Sequence, residues 1–262
     1  MKKAIKKELV RVNDAIATSG TILNGGERLS LSPPAEARPK KKLIFPLKVL
    51  YEDDHLAVVH KPAGILVSGN RFKTIANALP QNIQTSTLPD AVSPQPVHRL
   101  DYATTGALLI GKTNSAIRAL NGMFEDKRVE KTYYAVTIGE MNMYGTIRTE
   151  VEGKKSRTTY TVLDSIFSKR FGHLNLVLLS PHTGRRHQLR KHLSGINNPI
   201  LGDKEYGAEG LILKGKGLYL HAHSLSFIHP FTKEHLLIRD EFLERFKKIF
   251  NFSTTENTTD NS

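Results

Sequence analysis

A single carboxylate set between an arginine and a run of hydroxyls is the feature of this chain best placed to do chemistry. It lies in Val97-His98-Arg99-Leu100-Asp101-Tyr102-Ala103-Thr104-Thr105-Gly106, which leads into the apolar run Ala107-Leu108-Leu109-Ile110. As a carboxylate, Asp101 can act as a nucleophile or a general base. Buried, it would protonate unless a cation holds it ionised. Two further segments offer partners. Lys131-Thr132-Tyr133-Tyr134-Ala135 carries a phenol able to give or take a proton. Thr183-Gly184-Arg185-Arg186-His187-Gln188-Leu189-Arg190-Lys191-His192-Leu193 carries guanidinium groups that can grip a carboxylate or phosphate bidentately. No second carboxylate lies in these three segments, which argues against the two-carboxylate scheme of glycoside hydrolysis.

Composition narrows the partner. In 262 residues, Lys+Arg is 38 against Asp+Glu 25, a formal net charge of +13. A protein this basic is expected to meet phosphate, as nucleic acid ahead of an anionic membrane. Cys is absent, which excludes disulfides, Cys-ligated zinc, iron–sulfur clusters and Cys nucleophiles. No apolar run approaches the ~18 residues of a membrane span, and the basic start Met1-Lys2-Lys3-Ala4-Ile5-Lys6-Lys7-Glu8 has no apolar signal core behind it. A cytoplasmic monomer with no membrane partner is the simplest expectation.

The elements that would position these groups can be read from period and punctuation. Residues 18–31 suggest two short strands joined at Asn24-Gly25-Gly26, and the Pro- and Lys-rich stretch 33–42 an exposed linker. Residues 49–51 and 56–59 read as a hairpin, and 72–80 as a short helix. The Pro-, Ser- and Thr-rich stretch 81–96 reads as a loop, and 108–110 as a buried strand. Ile117, Leu120, Met123 and Phe124 recur at helical spacing within 114–126. Residues 132–138, 158–162, 174–179 and 218–220 read as strands. A helix over 187–194 would put Arg186 and Arg190 on one face and Leu189 and Leu193 on another. Residues 240–250 form a last amphipathic helix, and 252–262 a frayed polar tail. Strands outnumber helices without alternating regularly, so the expected class is α+β. The expected division is an N-terminal segment and linker over 1–42, a catalytic domain over 43–251 and a tail over 252–262.

Together the three segments resemble the RluA family of RNA pseudouridine synthases, and the resemblance covers residues 43–240. It rests on His98-Arg99-Leu100-Asp101 with Thr104-Thr105-Gly106, on Lys131-x-Tyr133-x-Ala135, on Gly184-Arg185-x-His187-Gln188-Leu189-Arg190-x-His192, and on Pro199-Ile200-Leu201-Gly202-Asp203. Lys61-Pro62-x-Gly64, Leu220-His221-Ala222 and His229-Pro230 also fit. The resemblance implies a mixed, mainly antiparallel sheet flanked by helices, with an RNA cleft across it. It implies that Asp101 is the catalytic Asp, Tyr133 the active-site Tyr and Arg190 the Arg that pairs with the Asp. Arg185 would line the same cleft, Leu189 and Leu220 would wall the uracil pocket, and Arg99 would occupy the gap left by a flipped nucleotide. It implies neither a metal nor an organic cofactor. The substrate would be ribosomal RNA first and transfer RNA second. Many members begin with a small RNA-binding domain, and residues 12–31 look like only its last strands.

Other readings compete at single residues. His98 is expected to be mainly structural, holding the Asp101 loop, and Thr104 to shape the turn beside it. His187 and His192 suggest a metal pair, but a spacing of five puts them off one helix face, where i, i+4 would be needed. Thr105 stands where Ser is common in the family, His60 where Asn is common, and Arg186 where a small polar residue is usual. The alternatives to the enzyme are an RNA-binding factor without catalysis and a metal-dependent hydrolase built on His98, Asp101, His187 and His192.

Overall fold

The computed structural model describes residues 2–32, 43–213, 215–241 and 244–250. The chain divides into two compact units, Met1–Lys42 and Leu43–Ser262. The linker proposed at 33–42 and the tail at 252–262 lie outside the described residues, as do residues 242 and 243 of the last expected helix.

The first unit holds α1 (Lys2–Ile5) and a three-stranded sheet of β1 (Val10–Val12), β2 (Ala15–Ile16) and β3 (Leu29–Leu31), with β1 central and both neighbours antiparallel. This corrects the two-strand reading of 18–31. Of that stretch only β3 is a strand; its partner is β1, and the Asn24-Gly25-Gly26 turn joins no hairpin. Instead the Glu27 carboxylate accepts the backbone N–H groups of Asn24 and Gly25, and these bonds lower its pKa.

The second unit is built on one large sheet. Its strands are β4 (Val49–Glu52), β5 (Leu56–Lys61), β6 (Ala91–Pro96), β7 (Thr105–Thr113), β8 (Glu130–Ile138), β9 (Tyr144–Ile147), β10 (Thr158–Ser168), β11 (Gly172–Pro181), β12 (Leu220–Ile228) and β13 (His235–Arg239). The order is β4-β5-β7-β12-β8-β11-β10-β9, with β6 added to β7 and β13 to β12. All pairs are antiparallel except β7 with β12, which run parallel at His221↔Thr105 and Ala222↔Gly106. The helices are α2 (Ile75–Ala78), α3 (Asn114–Glu125), α4 (Gln188–Gly195) and α5 (Glu244–Lys247).

The apolar run after Asp101 explains the centre of this sheet. All nine residues of β7 are buried, as expected of a strand covered on both faces. Side-chain alternation splits them between two cores. Leu108 and Ile110 pack with Ala57, Val59, Ile75 and Leu79, whereas Ala107 and Leu109 pack with Leu56, Val58, Leu120 and Met123. The second set brings in α3, whose start is capped by the Thr113 hydroxyl accepting from the Ala116 N–H. A third core, with Ala135, Leu176, Leu189, Leu193, Phe246 and Phe250, seats α4 and α5 against the other half of the sheet.

Three expectations are corrected here. Residues 91–96 are a strand, not loop. Pro94 and Pro96 hid it, because proline lacks a ladder N–H, yet β6 pairs only with β7 and through an irregular register, where that loss is tolerated. The strand placed at 218–220 begins at Leu220 and runs to Ile228. In addition, α4 starts at Gln188, so Arg186 precedes the helix and lies exposed, while Arg190 is buried.

Gly106 shows how tightly the parallel pair is packed. Its φ is +120°, and a Cβ there would stand 2.2 Å from the Ala222 carbonyl oxygen. Neither strand can move aside, being central in the sheet. Gly106→Ala is therefore expected to lower unfolding free energy by at least about 2 kcal/mol. Urea denaturation checks this, and an unchanged midpoint would contradict the close approach.

Candidate active site

The loop carrying Asp101 joins β6 to β7 and is held from beneath by a buried lysine. Lys61, fully buried at the end of β5, donates through Nζ to the carbonyls of Thr104 (2.7 Å), Pro62 (3.0 Å) and Tyr102 (3.3 Å). Burial pushes this ammonium down to about 8, against the opposing pull of Asp101. The Gly64 N–H also donates to the Tyr102 carbonyl at 2.8 Å, and the Thr104 N–H to the Asp101 carbonyl at 3.1 Å. Leu100 is buried beside them. One Lys and one Gly thus fix the loop backbone, which accounts physically for the Lys61-Pro62-x-Gly64 pattern. His60, next along β5, lies 2.5 Å from the buried Asp240 carboxylate through Nδ1 and ties β5 to the residue that follows β13.

His98 holds the other end of the loop. Its Nε2 accepts the Leu109 N–H at 2.9 Å, and its ring packs on Phe124 with centroids 4.8 Å apart. Thr104 is buried, and its Oγ1 has no hydrogen-bond partner among the described residues.

Arg190 reaches the carboxylate from α4, but not as a simple pair. Its Nε and Nη2 donate to the two oxygens of Asp203, both at 2.7 Å, and Nη2 also reaches Glu205 at 3.3 Å. Only Nη1 faces Asp101, 3.7 Å from Oδ2. The guanidinium also lies over the Tyr206 ring, 4.8 Å from its centroid. Burial opposes the charge on Arg190, yet the Asp203 bonds and the charges of Asp203, Asp101 and Glu205 outweigh it and raise the pKa. Burial likewise works against the Asp203 anion, but the Arg190 bonds and the N–H groups of Glu205 and Tyr206 hold its pKa low. Asp101 is therefore not the lone acid of the site. Asp203 and Glu205 sit behind the same guanidinium.

Tyr133 projects from β8, in register with Leu179 of β11 and Ala222 of β12. Burial, then the Asp101 charge, pushes its pKa well above the usual phenol value, so it rests protonated. Tyr134 is half-buried and its ring lies 4.5 Å from that of His223. Leu189 and Leu220 are buried in the wall. Gln188 sets the entry to α4: its Oε1 accepts from the Thr183 hydroxyl and the Arg185 N–H, and its Nε2 donates to the Arg157 carbonyl and Thr158 Oγ1.

All nine residues singled out from the sequence (Asp101, Tyr133, Arg190, Arg99, Arg185, His98, Thr104, Leu189 and Leu220) line one cleft of about 1120 Å³. Arg99, Arg185, Arg186, Arg157 and Lys127 are exposed at it. The four groups of the imagined metal site do not converge. His192 bonds Ser156 and Thr158 in a buried network of its own, and His98 spends Nε2 on Leu109. Sequence reasoning weighed His187 only as a metal ligand and a motif residue, whereas its Nε2 lies 3.7 Å from Asp101 Oδ1, and it gave Asp203 no role. Asp203 was legible in principle, because a buried Arg in a motif demands a nearby anion.

A basic, apolar-walled cleft that gathers a carboxylate, a phenol and a guanidinium describes an enzyme acting on a polyanion. Residues 55–195 match the family described as RNA pseudouridylate synthase. The chain belongs to this family of RNA isomerases, and its relatives place it in the RluA branch. It is similar to an Aquifex aeolicus (strain VF5) protein named uncharacterized RNA pseudouridine synthase, with 34% identity covering 96% of this chain and 88% of that one. It is also similar to the ribosomal large subunit pseudouridine synthase C of Vibrio vulnificus (strain CMCP6), with 31% identity over 94% and 85%. Among solved structures it is similar to human RNA pseudouridylate synthase domain containing 1, with a TM-score of 0.62 and 26% identity, covering 75% of this chain and 83% of that one. Among the described residues no helix is long and apolar enough to cross a membrane.

Two outcomes follow from this geometry. Asp203→Ala leaves the buried Arg190 without its bidentate partner and is expected to cost about 3 to 5 kcal/mol, read by urea unfolding; a loss near zero would show that the pair is dispensable. His98 gives a pH signature. Burial, then the Lys131 charge, pushes it down from 6.5 to about 3, and it must be neutral to accept from Leu109. Between those values the unfolded chain binds a proton that the native state refuses, so stability falls as pH falls. The advantage of the wild type over His98→Leu should be full above pH 6.5 and shrink toward pH 3. A pH-independent difference would contradict it.

Proposed function

We propose that this protein converts specific uridines of ribosomal RNA to pseudouridine, transfer RNA being the second choice, with Asp101 as nucleophile and Tyr133 and Arg190 as its catalytic partners. The observation that carries the reading is the placement of Asp101 in a cationic cleft where Arg190 faces it and Tyr133 stands by as a neutral phenol. The ribosomal target is supported by the names of relatives such as the large-subunit enzyme of Vibrio vulnificus.

The reaction is an isomerisation and needs no external reactant. The uridine leaves its stack, at a cost of a few kcal/mol, and its place is taken by the exposed Arg99. Asp101 attacks the ribose anomeric carbon or the uracil ring, and the N1–C1′ bond breaks. The uracil turns between Leu189 and Leu220, the C5–C1′ bond forms, and the bond to Asp101 breaks, which frees the carboxylate. N1 ends protonated, and C5 gives up its proton. A phenol that rests protonated cannot accept it directly, so Tyr133 works as a relay, passing one proton on while receiving another. Thr104, His98 and Arg185 hold the loop and the RNA around this centre. The apolar walls keep water from capturing the sugar, which would leave an abasic site.

The test is pseudouridine mapping of total RNA from strains carrying the wild-type gene, no gene, or Asp101→Ala. Deletion should erase one or a few ribosomal sites, which the wild type restores and Asp101→Ala does not. Restoration by Asp101→Ala would sink the mechanism, and loss confined to transfer RNA would overturn the ribosomal target.

A further inference from the structure

His187 is the last residue before α4, and its backbone is left-handed, with φ 54° and ψ 24°. For a residue with a Cβ this costs about 1 kcal/mol, and the side chain caps no helix N–H in return. Its neighbours Arg185 and Arg186 are exposed, but the imidazole is only 12% exposed. Nε2 stands 3.7 Å from Asp101 Oδ1, matching Arg190 Nη1 at 3.7 Å from Oδ2. Nδ1 stands 3.0 Å from the Tyr206 hydroxyl and 3.5 Å from Glu205 Oε1.

These contacts fix what the ring can do. Tyr206 is pushed up to about 12 by burial and by its hydrogen bond to Glu205, so it keeps its proton. Given to His187 Nδ1, that proton leaves the ring with its N–H at Nε2, turned toward Asp101. A lone pair facing a carboxylate is repelled, whereas an N–H is attracted. The groups facing the ring are Asp101, Glu205, Tyr206 and Arg190, with Glu152 and Arg186 within charge range.

We propose that His187 is a positioning residue for Asp101: its Nε2 edge holds Oδ1 while Arg190 holds Oδ2, and Tyr206 with Glu205 sets its ring. The two side chains together fix the plane of the carboxylate, which a single guanidinium already committed to Asp203 does not do. The 3.7 Å separations are those of a resting site and tighten when RNA excludes water. This rests on the reading of Asp101 as nucleophile.

The left-handed backbone supplies a clean variant. His187→Gly suits φ 54° and should fold at least as well as the wild type. Single-turnover rates and RNA affinity would be measured on large-subunit ribosomal RNA from a strain lacking the gene. His187→Gly should lower the rate by about tenfold to a hundredfold at nearly unchanged affinity. Added imidazole should restore part of the rate. Weakened binding with an unchanged rate would overturn the proposal in favour of a phosphate contact. A lowered rate that imidazole does not rescue would overturn it in favour of a purely structural role. Wild-type protein that makes no pseudouridine on this RNA would instead sink the ribosomal reading beneath it.

Discussion

The Arg190–Asp203 fork is the interaction on which the geometry of the cleft depends. An arginine given bidentately to Asp101 would occupy both of its oxygens. Here both short bonds go to Asp203 at 2.7 Å. They set the guanidinium plane and leave Asp101 a cation at 3.7 Å, beyond hydrogen-bond length. A charge pair near 4 Å is still worth up to about 4 kcal/mol at an effective dielectric of 20. That is enough to oppose desolvation of the carboxylate while leaving its lone pairs available. Asp203 thus lets Arg190 act on Asp101 without blocking it.

The sheet is what makes this geometry repeatable. Asp101 enters at the start of β7, Tyr133 is on β8, and β12 lies between those strands and brings Leu220 to the wall. The parallel contact of β7 with β12 closes only because Gly106 has no Cβ to meet Ala222. Behind the loop, the buried Lys61 ammonium donates to three carbonyls, and that of Tyr102 also accepts from the Gly64 N–H. A loop between strands is normally free to vary. This one is held by an ammonium, a glycine N–H and an imidazole at successive points, which anchor the backbone that carries the carboxylate.

What the sequence made legible followed from local signals. The nine-residue buried strand showed as an apolar run, α3 as a helical period with Thr113 before it, and the three motif segments as the walls of one cleft. The failures were of three physical kinds. Strand β6 was hidden because its prolines lie in an edge strand, where local propensity and tertiary pairing disagree. His187 was read as the first residue of a helix, since nothing in residue type reveals a left-handed residue that turns a side chain toward Asp101. Asp203 lies thirteen positions beyond Arg190, so no helical or strand period links the two, and Asp101 seemed to be the only acid.

The charges divide by depth, and the division has a consequence for target choice. Arg99, Arg157, Arg185, Arg186 and Lys127 are exposed at the cleft, where a Debye length of about 8 Å screens them at physiological salt. Such cations attract and orient any RNA backbone, and phosphate contacts carry no sequence information directly. Deeper in, the cation of Arg190 is already met by Asp203 and Glu205, so little positive charge is left there to reward an arbitrary phosphate. On the proposed mechanism, an RNA that merely binds the rim gains affinity but delivers no base to Asp101, and a productive RNA must also release a uridine cheaply enough for it to pass between Leu189 and Leu220. On that mechanism, selection falls on how readily the RNA gives up that nucleotide, a property of its local fold.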